Sequence, residues 1–260
     1  MKQPRLVWLA VALCLWGCST MVTPGPPITA PPGPDLVARL QATRPQVRSF
    51  DAKGRLTYLS PKWNYSGTSL IKGRLPDTIR ADVLDVLGRS LLFFYSNGQQ
   101  VQVLSPKEGK FYRGVASPGN LAAFIPPAMT LQQALRLMVG DLPLSSGQPV
   151  RSEYEVKQGR YLFEWQYPGG SIKERLWVEA QEMQPVQDEW FGPGGRLHFS
   201  ATFTNYGQIT PGLPGQITVK TLEPKGELRL TYSDMTVNPP LKDTDLSVPK
   251  PAGVTEVPLK

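Results

Sequence analysis

The chain has 260 residues, two cysteines, a single histidine and a formal net charge of +7. Both cysteines fall in the first eighteen residues, so the body of the chain has neither a disulfide framework nor a thiolate metal site. The positive residues are scattered rather than blocked, which argues against nucleic acid and leaves only a weak attraction to anionic surfaces.

Residues 1–17 read as an export leader. Lys2 and Arg5 form a basic start, and Leu6 to Leu15 is an apolar run too short to span a bilayer, which takes ~20 residues. The run closes on Leu15-Trp16-Gly17-Cys18, which resembles the lipobox cut by lipoprotein signal peptidase just before a diacylated cysteine. Trp16 departs from that pattern, where a small residue is usual. The expectation is a lipid anchor on Cys18. Residues 18–34 follow as a proline-rich tether that cannot bury enough apolar surface to fold. Ser19 is not the aspartate that marks inner-membrane retention in enterobacteria, so the expected location is the periplasmic face of the outer membrane.

Residues 35–240 read as one folded domain. Asp35 to Thr43 is a candidate short helix with Leu36 and Leu40 on one face. From Arg48 onward apolar residues recur with period two, as in strands with one buried face. Tyr161, Phe163, Trp165 and Tyr167 alternate with Leu162, Glu164 and Gln166. Leu197, Phe199, Ala201 and Phe203 alternate with His198, Ser200 and Thr202, and Leu228, Leu230 and Tyr232 with Arg229 and Thr231. Short glycine- and proline-bearing turns separate the runs, so neighbours are antiparallel; a parallel crossover needs a dozen or more residues. One longer helix is expected over Thr130 to Val139. Thr130 and Gln133 form its capping box, Gly140 its stop, and Leu131, Ala134, Leu135 and Met138 its apolar face. Residues 241–260 are proline-rich and polar, and are expected to be a disordered or loosely docked tail.

A long antiparallel sheet with one inserted apolar helix predicts a sheet curled around helices. In this setting four stretches resemble the LolA/LolB superfamily of lipoprotein carriers and receptors, and its LolB receptor branch most closely. They are Arg48 to Leu59 around Gly54, Ile79 to Tyr112 with the turn Val86-Leu87-Gly88-Arg89, Leu137 to Pro143, and Leu213 to Val219 followed by Leu228 to Val237. Val86 stands where the family has proline, and the family's lid tryptophan is absent. The resemblance implies a mainly β fold, an incomplete antiparallel barrel (a half-barrel) wrapping an apolar cavity under a short α-helical lid.

It also implies a function: a monomeric, membrane-anchored receptor that takes the acyl chains of lipoproteins, handed over by a periplasmic LolA-type carrier, and promotes their insertion into the outer membrane. Candidate cavity residues are Phe50, Leu56, Tyr58, Leu92, Phe94, Leu131, Leu135, Met138, Tyr161, Phe163, Trp165, Phe199 and Phe203. Leu87 with Gly88 matches the loop that promotes membrane insertion. The alternative is an envelope-assembly lipoprotein of the same fold that binds a lipid, glycolipid or partner protein. No cofactor, metal or catalysis is expected. His198 has no second histidine or cysteine beside it in the folded region, and Asp82/Asp85 and Glu153/Glu155 read as solvated charges.

Overall fold

The computed structural model of the protein describes residues 34–259 apart from 44–45, 60, 62–63, 123, 126–128, 143, 224 and 248. The leader, Cys18 and the tether up to residue 33 lie outside the described residues. Helix α1 (Pro34–Ala42) comes first. Six strands follow: β1 (Ser49–Leu59), β2 (Asn64–Arg74), β3 (Thr78–Leu84), β4 (Ser90–Ser96), β5 (Gln100–Ser105) and β6 (Lys110–Val115). Two helices, α2 (Pro118–Leu121) and α3 (Leu131–Met138), lead to seven more strands. These are β7 (Arg151–Glu155), β8 (Arg160–Gln166), β9 (Ile172–Glu179), β10 (Pro185–Phe191), β11 (Leu197–Thr204), β12 (Gln216–Leu222) and β13 (Lys225–Val237). Helix α4 (Asp243–Leu246) and strand β14 (Thr255–Pro258) complete the chain.

All strands join one sheet in the order β14-β6-β5-β4-β3-β2-β1-β13-β12-β11-β10-β9-β8-β7. Each run pairs antiparallel with its sequence neighbour, and β1 against β13 stitches the two runs together. At that seam Leu56 faces Leu230 and Tyr58 faces Leu228. The two end strands do not pair, so the sheet is open: an incomplete barrel with few helices, as expected. Gly54 helps the long strand bend at the seam. The register shifts between Lys53 and Gly54, and a Cβ at Gly54 would sit 2.5 Å from the Thr231 carbonyl oxygen.

Helices fill the concave side. α3 begins as its sequence requires, with Gln133 N donating to Thr130 Oγ1 (3.2 Å) and Thr130 N donating to Gln133 Oε1 (2.9 Å). Gly140, at φ +64°, ends it. Leu131, Ala134, Leu135 and Leu137 are buried under the helix, and the Tyr232 hydroxyl of β13 donates to the Met138 carbonyl at 2.6 Å. Burial pushes the Tyr232 phenol far above its ordinary pKa, so it stays a donor. Beyond the helix, Ser145 N donates to the buried Glu174 carboxylate (2.6 Å) and Trp165 Nε1 to the Gly147 carbonyl (3.1 Å). These bonds tie the exit of α3 to β8 and β9.

The C-terminal segment corrects one expectation. It is not a loose tail. It crosses the convex face, where Arg74 pairs with Asp243 (2.7 Å), Arg80 donates to the Asp245 carbonyl (3.4 Å) and Leu246 is buried. It then adds β14 parallel to β6, with Val257 opposite Tyr112. The domain therefore runs past residue 240 to the end of β14. The physical reason is the exposed edge of β6, whose unpaired backbone groups are satisfied by a strand laid beside it. Phe93, Leu104 and Phe111 also form a cross-strand apolar row on the outer sheet face, on which Arg80 and Arg113 lie over Phe93 and Phe111.

Candidate functional site

The two halves of the sheet treat their concave faces differently. On β8 to β11 the face is filled solid. Tyr161, Phe163 and Trp165 form a ladder with ring centroids 6.2 Å apart, Trp190 stacks on Phe199 at 6.1 Å, and Phe203 and Ala201 are buried beside them. Arg39 of α1 lies close enough to act electrostatically on the Tyr161 hydroxyl, and Leu36 and Leu40 of that helix are buried in the same core.

On β1 to β4 the face is left partly open. An apolar cavity of about 130 Å³ is walled by Leu56 and Tyr58 of β1, Tyr65 and Ile71 of β2, Ile79, Ala81 and Val83 of β3, and Leu92 and Phe94 of β4. Leu228 closes it from β13, and Phe124, Ile125, Leu131, Ala134 and Met138 close it from the helical side. Ala81 of β3 and Ala134 of α3 line it with short side chains, where the other half has buried aromatic rings. A second space of about 570 Å³ opens between the ends of β2 to β5 and the helices, lined by Asp77, Gly98, Leu121 and Gln132 among others. Ile125 and Leu131 line both spaces and form the partition between them.

Of the cavity residues expected from sequence, Leu56, Tyr58, Leu92, Phe94, Leu131 and Met138 line it. Phe50, Leu135, Tyr161, Phe163, Trp165, Phe199 and Phe203 do not; all seven are buried core residues. Period-two alternation identifies the inner face of a strand but not whether that face meets a void or a packed helix. The residues it missed include Tyr65, Ile71, Ile79, Ala81 and Val83, although Ile79, Ala81 and Val83 alternate with Arg80 and Asp82 as cleanly as any aromatic run. Phe124 and Ile125 carry no periodic signal, since they lie between the two helices.

A buried polar atom without a partner interrupts the apolar wall. The Tyr65 hydroxyl is buried and has no hydrogen-bond partner among the described residues, and burial raises its pKa well above the ordinary phenol value. A phenol in that state is a spare donor. Tyr65 pairs with Tyr58 across β1 and β2, one step from the Leu59–Asn64 pair that ends the ladder.

That end of the ladder carries the turn with Leu87. Val86 and Leu87 are 91% and 72% exposed at the tip of the β3–β4 hairpin. The turn is built rather than loose. The Asp85 carboxylate accepts from Leu87 N (2.8 Å), Arg89 N (2.9 Å) and Arg89 Nε (2.7 Å). Gly88 takes φ +77°, a left-handed conformation that a side chain would strain. Above all the Arg89 backbone N–H, helped by the Arg89 guanidinium and the Leu87 N–H, holds the Asp85 pKa below its ordinary value. The outcome is a rigid tip that presents two aliphatic side chains to solvent.

Among the described residues no cluster of three or more His, Cys, Asp or Glu could hold a metal ion, and no helix is long and apolar enough to cross a membrane.

No protein-family model and no curated protein sequence matches the chain. Its fold does match solved structures. A Vibrio parahaemolyticus domain described as an outer membrane lipoprotein-sorting protein superposes with a TM-score of 0.52 at 14% identity, covering 82% of this chain and 95% of that one. A LolA superfamily protein from Nitrosomonas europaea gives 0.51 at 17% identity, covering 84% and 99%. A DUF1329 family protein from Desulfovibrio piger gives 0.54 at 11% identity, covering 82% and 95%. The chain has the fold shared by these proteins.

Proposed function

We propose that this protein is an acyl-chain-binding receptor of the cell envelope, anchored through Cys18 on the periplasmic face of the outer membrane. It accepts acylated lipoproteins in the cavity between β1–β4 and α3 and promotes their insertion into the membrane. The chain works by binding, not by making or breaking bonds. The observation that carries this reading is that the apolar cavity and the exposed Leu87 tip belong to one hairpin: Val83 and Leu92 line the first, and Leu87 crowns the second. Acyl chains suit such a wall, since each buried methylene contributes about 0.8 kcal/mol and needs no directional partner.

The size of the void decides how binding must proceed. A cavity of about 130 Å³ is comparable to one that holds a single benzene-sized ligand, so it cannot take a long chain as it stands. Loading requires the partition at Ile125 and Leu131 to move, which would merge the cavity with the larger space beyond. The same small volume favours, as a second reading, a single-chain lipid in place of a multiply acylated protein.

The test is transfer in vitro. An acylated lipoprotein is presented on a LolA-type carrier, and its arrival in vesicles bearing the full chain is followed by sedimentation. Transfer that depends on the wild-type chain and fails with Leu87→Glu supports the receptor reading. Equal transfer by both variants contradicts it.

A further inference from the structure

The end of the sheet that carries Leu87 has more exposed aliphatic surface than one turn supplies. Leu59, the last residue of β1, is 45% exposed, and Leu222, the last residue of β12, is 56% exposed. The strand registers put both at the same end as the β3–β4 tip. Leu59 pairs with Asn64 at the start of β2, Thr68 of β2 pairs with Leu84 at the end of β3, and Leu222 pairs with Lys225 at the start of β13. Between Leu59 and the β12–β13 turn lies a groove of about 420 Å³, lined by Leu59, Pro61, Leu222 and the stems of Lys220 and Lys225. Four strand spacings separate this turn from the Leu87 tip, which at about 4.8 Å each is ~19 Å along the rim.

The charges around this rim have one sign left over. Asp85 is held by Arg89, Glu108 by Lys110, Glu223 by Arg196, and Glu227 by Lys220 and Arg229. Lys107 of the β5–β6 turn and Lys225 of the β12–β13 turn make no ion pair among the described residues. Exposed aliphatic tips set among surplus lysines match a bilayer interface with anionic headgroups. The aliphatic groups enter the acyl boundary while the lysines stay at headgroup level.

We propose that the β12–β13 turn, with Leu59 and Leu222, is a second membrane contact that sits on an anionic bilayer together with the Leu87 tip. This rests on the reading that Leu87 meets the membrane. Two contacts ~19 Å apart fix orientation where one cannot. Tyr58, Tyr65 and Leu228, at the rim end of the cavity, are then held toward the lipid. A ligand leaving the cavity at this end would enter the bilayer without crossing water.

The test uses the full chain with Cys14→Ser and Cys18→Ser, carrying a single label at Leu87→Cys, Leu222→Cys or Val156→Cys. Val156 is exposed in the β7–β8 turn at the opposite end of the sheet. Vesicles contain phosphatidylcholine and phosphatidylglycerol, and the readout is accessibility of each label to a water-soluble quencher. Loss of access at positions 87 and 222, with position 156 unchanged, supports the proposal. Loss at 87 alone overturns it while leaving the proposed function standing. No loss at any position sinks both, and loss at 156 as well points to non-specific adsorption and overturns the oriented contact. Lys107→Gln and Lys225→Gln should each weaken binding to these vesicles about fivefold, with no change on pure phosphatidylcholine. Equal affinity for the two vesicle types also overturns the proposal.

Discussion

Val83 lines the apolar cavity, and Leu87, four residues further along the same hairpin, stands 72% exposed at its tip. The intervening Asp85 fixes the relation between them by accepting three hydrogen bonds across the turn. The β3–β4 hairpin thus joins the cavity wall directly to the exposed tip.

Leu87→Glu should therefore leave the fold intact, because an exposed turn side chain contributes within about 0.5 kcal/mol to stability. Vesicle association and cargo delivery should fall sharply, and Val86→Glu should act in the same direction. Thermal unfolding and the transfer assay, run on the same preparations, separate the two effects. A large drop in melting temperature would mean that Leu87 packs in a way the structure does not show.

Asp85→Ala should loosen the tip without emptying the cavity. Because the folded Asp85 pKa lies below its unfolded value, its carboxylate stabilises the turn above the unfolded pKa of about 3.9. That contribution is lost as pH falls through the depressed folded value. Amide exchange at Leu87 and Arg89 should show protection at neutral pH, lost in Asp85→Ala and lost on strong acidification of the wild type. Unchanged protection in the variant would show that the backbone alone holds the turn.

Tyr65→Phe should raise the stability of the empty protein by about 1 kcal/mol, since it removes a buried hydroxyl with no partner. If that hydroxyl donates to an ester or amide carbonyl of the ligand, the same variant should bind an acyl ester several-fold more weakly and a plain hydrocarbon chain equally well. Denaturant titration and competition binding read the two halves. Equal ester affinity would remove Tyr65 from the site.

Truncation after Pro240 should expose the β6 edge that β14 now covers. Aggregation measured by light scattering is the expected outcome. A monodisperse, stable truncated chain would show that the C-terminal strap is dispensable.

Sequence reasoning reached the open half-barrel because its signals are local. Alternation in Tyr161 to Trp165, the Thr130–Gln133 box and the Leu87-Gly88 turn each depend on residues within one element. Two features were out of reach because they depend on what lies opposite. Phe163 and Leu92 look alike along the chain, yet one meets a packed core and the other a void. Thr255 to Pro258 carries one aliphatic side chain amid polar and proline residues, and becomes a strand only because β6 offers it an unpaired edge. The leader and Cys18 lie outside the described residues, and the proposed anchor is read from the sequence Leu15-Trp16-Gly17-Cys18 alone.

Acyl-chain uptake by the cavity between β1–β4 and α3 is directly measurable. Native mass spectrometry of the full chain mixed with a triacylated lipopeptide measures this. A one-to-one complex is expected, strongly reduced by Ala81→Trp, which fills the void at an overpacking cost of about 1–3 kcal/mol. No complex, or a complex equally populated in a folded Ala81→Trp variant, would contradict the account.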